Sequence, residues 1–260
     1  MTDERALVVL TPYESRRLIA KAVAKHPFVT EAMNNGWIII ATGSSTGYVA
    51  EELTGKAMVK ENFISGHVTL GETWGTPKNP DYIFPMVLHK GRPVEMRSEE
   101  ALKEFTATDV FIKGANAVDA QFQAGVFMGN NAGGTIGSSI GTLYARGSRL
   151  VVPVGLEKLV PSIAEAVKHT GTMRFRHHTG MPVGMMPLVQ AAVVTEIQAL
   201  AVLFGVQAYH LGSGGIAGSE GAVILSLEGE TARLDEAFRF VAGIKGEKPL
   251  LRPNGVPQQQ

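Results

Sequence analysis

Three short segments combine residue types that can hold a small polar ligand. Ala41-Thr-Gly-Ser-Ser-Thr-Gly47 offers four hydroxyls and two glycines. Small residues let a ligand approach the backbone, and free N–H groups at a helix start favour an anion. Lys113-Gly-Ala-Asn-Ala-Val-Asp119 offers a cation in Lys113, an amide in Asn116 and a carboxylate in Asp119. Gly129-Asn-Asn-Ala-Gly-Gly134 is a second glycine loop, in which Gly129, Asn130, Gly133 and Gly134 can line a site by the same helix-terminus argument. Glu157 and Lys158 add a further carboxylate and cation. The first segment is neither a Walker A loop nor a Gly-x-Gly-x-x-Gly fingerprint. Each segment also has a plainer explanation: a tight strand-to-helix turn, a turn residue bonding its own backbone, or close packing.

The elements around these segments read as an α/β fold. Trp37–Ala41, Val110–Lys113 and Arg149–Val154 are short apolar runs, the pattern of strands covered on both faces. Helices are expected after Thr11-Pro-Tyr-Glu14, a capping box, at Tyr48–Leu53, at Ser98–Phe105, within Thr135–Ala145 and at Pro161–Thr170. Strands alternating with helices imply a mostly parallel sheet with helices on both faces. Each candidate segment then falls between a strand and another regular element, where α/β sheets bind ligands.

Beyond about residue 170 the pattern changes. Thr195-Glu-Ile-Gln198 is a second capping box, and Leu234, Ala237, Phe238, Val241 and Ile244 form the apolar stripe of a last helix. With strands at Met173–His178, Val206–Leu211 and Ala222–Leu227, the order predicts a smaller, ferredoxin-like layer. The expected division is an α/β domain over 1–170, a split-βαβ domain over 171–250 and a disordered tail over 251–260.

Composition sets the limits. The 260 residues include 30 Gly and no Cys, and 24 basic residues balance 24 acidic ones. Without Cys there is no disulfide framework, thiolate zinc site or Cys nucleophile. Zero formal net charge gives no footprint for nucleic acid or an anionic membrane. No apolar run approaches the ~20 residues of a membrane span, and no signal sequence is read at the N-terminus, so a cytoplasmic protein is expected. A weakly charged composition is compatible with a homo-oligomer. His177-His178 are strand neighbours in this reading and would point to opposite faces, so no metal site is expected.

In order along the chain come a Gly-Ser-Ser-Thr loop after a buried strand, Asp-Val-Phe-Ile-Lys-Gly-Ala-Asn-Ala-Val-Asp119, a glycine-rich loop and Arg149-Leu-Val-Val-Pro-Val-Gly-Leu-Glu-Lys-Leu-Val160. Over roughly residues 30–165 this resembles the superfamily joining ribose-5-phosphate isomerase A, glucosamine-6-phosphate deaminase and the CoA transferases. In the isomerase branch the first loop holds the sugar phosphate, which implies Gly43, Ser44, Ser45, Thr46 and Gly47 here. The family's Asp-Gly-Ala-Asp-Glu motif is replaced, with Lys113, Asn116 and Ala117 in place of its acidic residues, while Lys158 matches the Lys of the final motif. An isomerase needs a base beside the carbonyl, and Asp119 and Glu157 are the candidates. The resemblance thus implies a small anionic metabolite, phosphorylated or carboxylated, as ligand. Its other branches imply a non-catalytic metabolite sensor or assembly subunit, or acyl transfer with CoA through a Glu nucleophile, for which Glu220 is the counterpart. Only that last branch implies a cofactor.

Overall fold

The structure is a computed structural model that describes residues 4–253. In chain order it contains β1 (Arg5–Leu10), α1 (Pro12–Lys25), α2 (Pro27–Asn35), β2 (Trp37–Ile40), α3 (Ser44–Thr54), β3 (Gly66–Thr69), β4 (Glu72–Gly75), β5 (Met86–His89), β6 (Arg92–Val94), α4 (Ser98–Glu104) and β7 (Val110–Ile112). There follow β8 (Ala117–Val118), β9 (Ala124–Met128), α5 (Gly134–Arg146), β10 (Arg149–Pro153), α6 (Ile163–Lys168), β11 (Gly184–Leu188), β12 (Ala191–Val194), α7 (Glu196–Phe204), β13 (Gln207–Ser213), β14 (Val223–Glu228) and α8 (Thr231–Gly243). The fold is mixed α/β. No helix among the described residues is long and apolar enough to cross a membrane.

A six-stranded sheet in the order β12-β10-β7-β2-β5-β6 forms the centre. The first four strands run parallel, and β5 and β6 close one edge as an antiparallel hairpin. Successive residues of these strands enter different cores, as the two-residue period requires. Ile38, Ile40, Ile112 and Val151 pack with Leu18 and Ile19 of α1, Val49 of α3 and Leu200 of α7. Ile39, Phe111, Leu150 and Val152 pack instead with Leu102 of α4, Ile136 and Leu143 of α5, and Val126 of β9. Both capping boxes form: Thr11 with Glu14 at the start of α1, Thr195 with Gln198 at the start of α7.

The smaller sheet has the order β1-β14-β13, all antiparallel. Its third strand is the N-terminal β1. No strand forms at 173–178, where a strand of a ferredoxin-like layer was expected. Those residues are exposed: Met173 and Phe175 alternate with Arg174 and Arg176, but two apolar side chains followed by His177 and His178 give too short an apolar face to hold a strand against a sheet. Gly171 and Gly180 bracket the segment in positive-φ turns. Buried Val8, Leu10, Val223, Leu225 and Leu227 join the same core cluster as Ile38 and Val151, and β12 extends the central sheet. The two sheets thus exchange strands across residue 170 and share one core. Of the tail read as disordered, residues 254–260 lie outside the described residues, while the Leu251 N–H donates to Glu61 Oε1 at 2.7 Å and Pro253 is buried.

Candidate functional site

Parallel strands deliver their following loops to one end of the sheet. Ile40 of β2 is in register with Ile112 of β7, and Ile112 with Val151 of β10. Thr42–Gly43, Lys113–Gly114 and the turn that carries Lys158 therefore share one edge, at the carboxyl ends of neighbouring strands. Backbone bonds hold them together: the Ala41 N–H donates to Ile112 O at 2.9 Å, and the Lys113 N–H to Val151 O at 3.1 Å. A cavity of about 1120 Å³ opens there.

Its lining brings together Gly43, Ser44, Ser45, Lys113, Asn116, Gly129, Asn130, Gly133, Gly134 and Lys158. The three segments singled out by residue type thus meet in space. Asn116 ties its segment to β9, the strand that leads into the glycine loop, its Oδ1 accepting from the Phe127 N–H at 2.9 Å and its own N–H donating to Gly125 O at 2.8 Å. Two helix N-termini open onto the cavity. Gly43 caps α3 without a side-chain hydrogen bond, and Gly133, at φ 84°, caps α5 in the same bare way. The first N–H groups of a helix have no acceptor within it, and they present a partial positive charge.

Lys113 and Lys158 reinforce that sign. The ammonium of Lys113 lies 3.5 Å from both Thr42 O and Gly114 O, and that of Lys158 donates to Ala115 O at 3.0 Å. Among the described residues, neither forms an ion pair. Removal from bulk water, together with the neighbouring Lys158 charge, pushes Lys113 down to about 8. Lys158 is also lowered, mainly by loss of water, against the opposing pull of Glu157. The carboxylates in the lining, Glu95, Glu99 and Glu100, are exposed and come from the chain entering α4 and from its first turn.

The remaining candidates stand elsewhere. Thr46 is buried inside α3, its Oγ1 donating to Gly43 O at 3.1 Å, and Gly47 is buried against Lys60, whose Cγ would lie 3.2 Å from an added Cβ. Asp119 is 2 % exposed and accepts N–H groups from Gln121, Gln123 and Ile163, each at 3.0 Å. Glu157 faces away from the cavity, 3.7 Å from Arg16 and close to the buried Glu196. Burial and the Glu157 charge push Glu196 up to about 7. Glu220 lies in the exposed loop between β13 and β14, accepting from the Gly218 N–H at 2.9 Å, and does not line the cavity.

One wall lies outside the candidate segments, although Phe63–Leu70 reads as a strand from the sequence and contains β3. The β3–β4 hairpin contributes His67 and Trp74, paired across the strands, and the following chain adds Thr76, Tyr82 and Phe84. His67 Nδ1 meets Thr76 Oγ1 at 3.2 Å, whereas His67 Nε2 and Trp74 Nε1 are buried without a partner. Loss of water lowers the His67 pKa. Leu70-Gly71, both at positive φ, is a two-residue hairpin turn and the signal that locates this wall. Among the described residues, no group of three or more His, Cys, Asp or Glu side chains is arranged to hold a metal ion. No protein-family model matches the chain, and neither does any curated protein or solved structure.

Proposed function

We propose that the cavity binds a small metabolite carrying a phosphate or carboxylate. One observation carries this: two ammonium groups without ion-pair partners and two helix N-termini without side-chain caps converge on the same space. Each of these groups gains from a bound anion what the protein itself withholds. The aromatic and apolar side chains of Trp74, Tyr82, Phe84 and Met128 would cover the ligand's less polar part. In this reading the chain is a divergent relative of the ribose-5-phosphate isomerase A, glucosamine-6-phosphate deaminase and CoA-transferase superfamily, and the central sheet is its helix-covered α/β layer. The position of the Gly43–Ser45 loop, at a strand end in the cavity lining, supports that relation.

A second reading, a non-catalytic sensor, draws support from Asp119, whose carboxylate is occupied by backbone N–H groups. A thermal-shift series with inorganic phosphate, sugar phosphates, nucleotides and acyl-CoA tests both, because a ligand of the folded state raises the melting temperature by mass action. Phosphorylated compounds are expected to stabilise the wild type and to lose much of that effect with Lys158→Met. If none of them shifts the melting temperature, the anion site is refuted. Turnover of a stabilising compound would set the sensor reading aside.

A further inference from the structure

We propose that Lys113 is a nucleophile whose amine condenses with the aldehyde or ketone carbon of an anionic substrate, forming an imine. The inference rests on the anion-site reading and names the substrate class within it: a small carbonyl compound that carries a phosphate or carboxylate.

Position is the first argument. Lys113 directly follows the last residue of β7, and its backbone is pinned to β10 through the Val151 carbonyl. A nucleophile on a rigid strand end needs little reorganisation before it attacks. Its Nζ is 3.5 Å from Thr42 O, the carbonyl just before the Gly43 cap of α3. An anion held by the first N–H groups of α3 would bring a carbonyl a few atoms away within reach of Nζ.

The chemical surroundings are the second argument. Lysines that form imines are made reactive by lost water and by a second cation nearby, since both favour the neutral amine. Lys113 has both, with Lys158 bonded to the very next carbonyl of the same loop. No carboxylate pairs with Lys113 among the described residues, so nothing holds it as a permanent ammonium ion. Its amine, titrating at about 8, is free in roughly a tenth of the molecules at neutral pH, on the order of a hundredfold more than for an ordinary lysine.

The step balances without an oxidant or reductant. The Nζ lone pair forms the new C–N bond, and the carbonyl π pair moves onto oxygen, which takes up a proton. Nitrogen gives up a proton, and loss of water from the resulting carbinolamine leaves the C=N bond. The net change is amine plus carbonyl to imine plus water.

The test uses the full chain with two probes, glyceraldehyde 3-phosphate and uncharged propionaldehyde, each with sodium cyanoborohydride at neutral pH. Peptide mass spectrometry locates the reduced adducts. Lys113 is expected to carry the adduct several-fold faster than any other lysine, and inorganic phosphate should slow trapping of the phosphorylated probe, which it displaces, far more than that of propionaldehyde. Lys158→Met should move the pH midpoint of trapping upward. The pH-dependent labelling of wild-type Lys113 by a general amine reagent gives the same midpoint if that variant does not fold. Even modification of surface lysines, with Lys113 untouched by both aldehydes, would overturn the proposal. If phosphate still raised the melting temperature in that case, the anion site would stand without the imine. Trapping of Lys113 by propionaldehyde with no phosphate effect would refute the anion site and keep the nucleophile.

Discussion

Lys113 and Lys158 hang from consecutive carbonyl groups of one loop, the first 3.5 Å from Gly114 O and the second 3.0 Å from Ala115 O. Two like charges so placed raise each other's cost of protonation, and a bound anion lowers it for both. Ligand affinity and lysine titration are therefore two views of one equilibrium.

Sulfate makes that link measurable, because its charge is constant over the relevant range. Lys113 titrates at about 8 in the free protein, and only its ammonium form attracts the anion. Sulfate affinity measured by calorimetry should be steady near pH 6.5 and fall as pH rises through 8, by up to about tenfold per unit. Lys158→Met removes one attraction and so weakens binding at every pH. It also raises the Lys113 pKa, so the fall should begin at higher pH. An unchanged midpoint would separate the two lysines.

Glu196 predicts a pH dependence of stability. Its folded pKa, about 7, lies above the ordinary glutamate value of 4.5, so the folded state keeps the proton more tightly than the unfolded chain. The favourable contribution is present below about 4.5 and is lost as pH rises through about 7. Urea denaturation should show stability falling over this window by an amount on the order of 1–3 kcal/mol. Glu196→Gln should flatten the curve. A variant with the full wild-type slope would assign the proton elsewhere.

Asp119→Ala separates a structural carboxylate from a ligand-facing one. The substitution strands the N–H groups of Gln121, Gln123 and Ile163, the last of them buried. A loss of roughly 2–4 kcal/mol in unfolding free energy is expected. Sulfate affinity of the folded protein should stay within a factor of about two, given that the side chain lies outside the cavity lining.

Two glycines of one helix should respond in opposite ways. At Gly133 the backbone is left-handed, and an added Cβ would lie 2.9 Å from the Gly137 Cα. Gly133→Ala should cost about 1–2 kcal/mol and weaken sulfate binding by displacing the start of α5. Gly141 lies within α5 with nothing within 4 Å of an added Cβ. Gly141→Ala should be neutral or stabilise by about 0.5–1 kcal/mol, with no effect on sulfate. Thermal melts and calorimetry on the pair check both.

Much of the candidate site is legible in residue order. The runs at 37–40, 110–112 and 149–153 are apolar on both faces, and strands of that kind lie parallel inside an α/β layer and send their loops to one end. What each side chain does there is less visible. Asp119 has the residue type and the position of a base, but the tight turn from Asp119 to Gln123 supplies the donors that engage it. Glu157 and Lys158 are adjacent in the chain and face different surroundings, a difference that only the turn after β10 creates. The His67–Trp74 wall is half legible: Phe63–Leu70 reads as a strand and contains β3, whereas β4 is short and partly exposed, with little apolar alternation. β1 escapes for a related reason: Leu7 and Val9 are exposed, so its five apolar residues in a row do not show which face is buried.

The pairing of β1 with β14 has a consequence in time. Arg5 lies opposite Glu228, so a strand made early is completed by one made more than 200 residues later. During synthesis β1 has no partner until β14 has left the ribosome, and its row of unpaired N–H and C=O groups stays open until then. Closing so long a loop is entropically slow, and a high share of distant contacts lowers folding rates. The β1–β14 pair thus depends on a distant closure, and a chain truncated before β14 would leave a bare strand edge open to other chains.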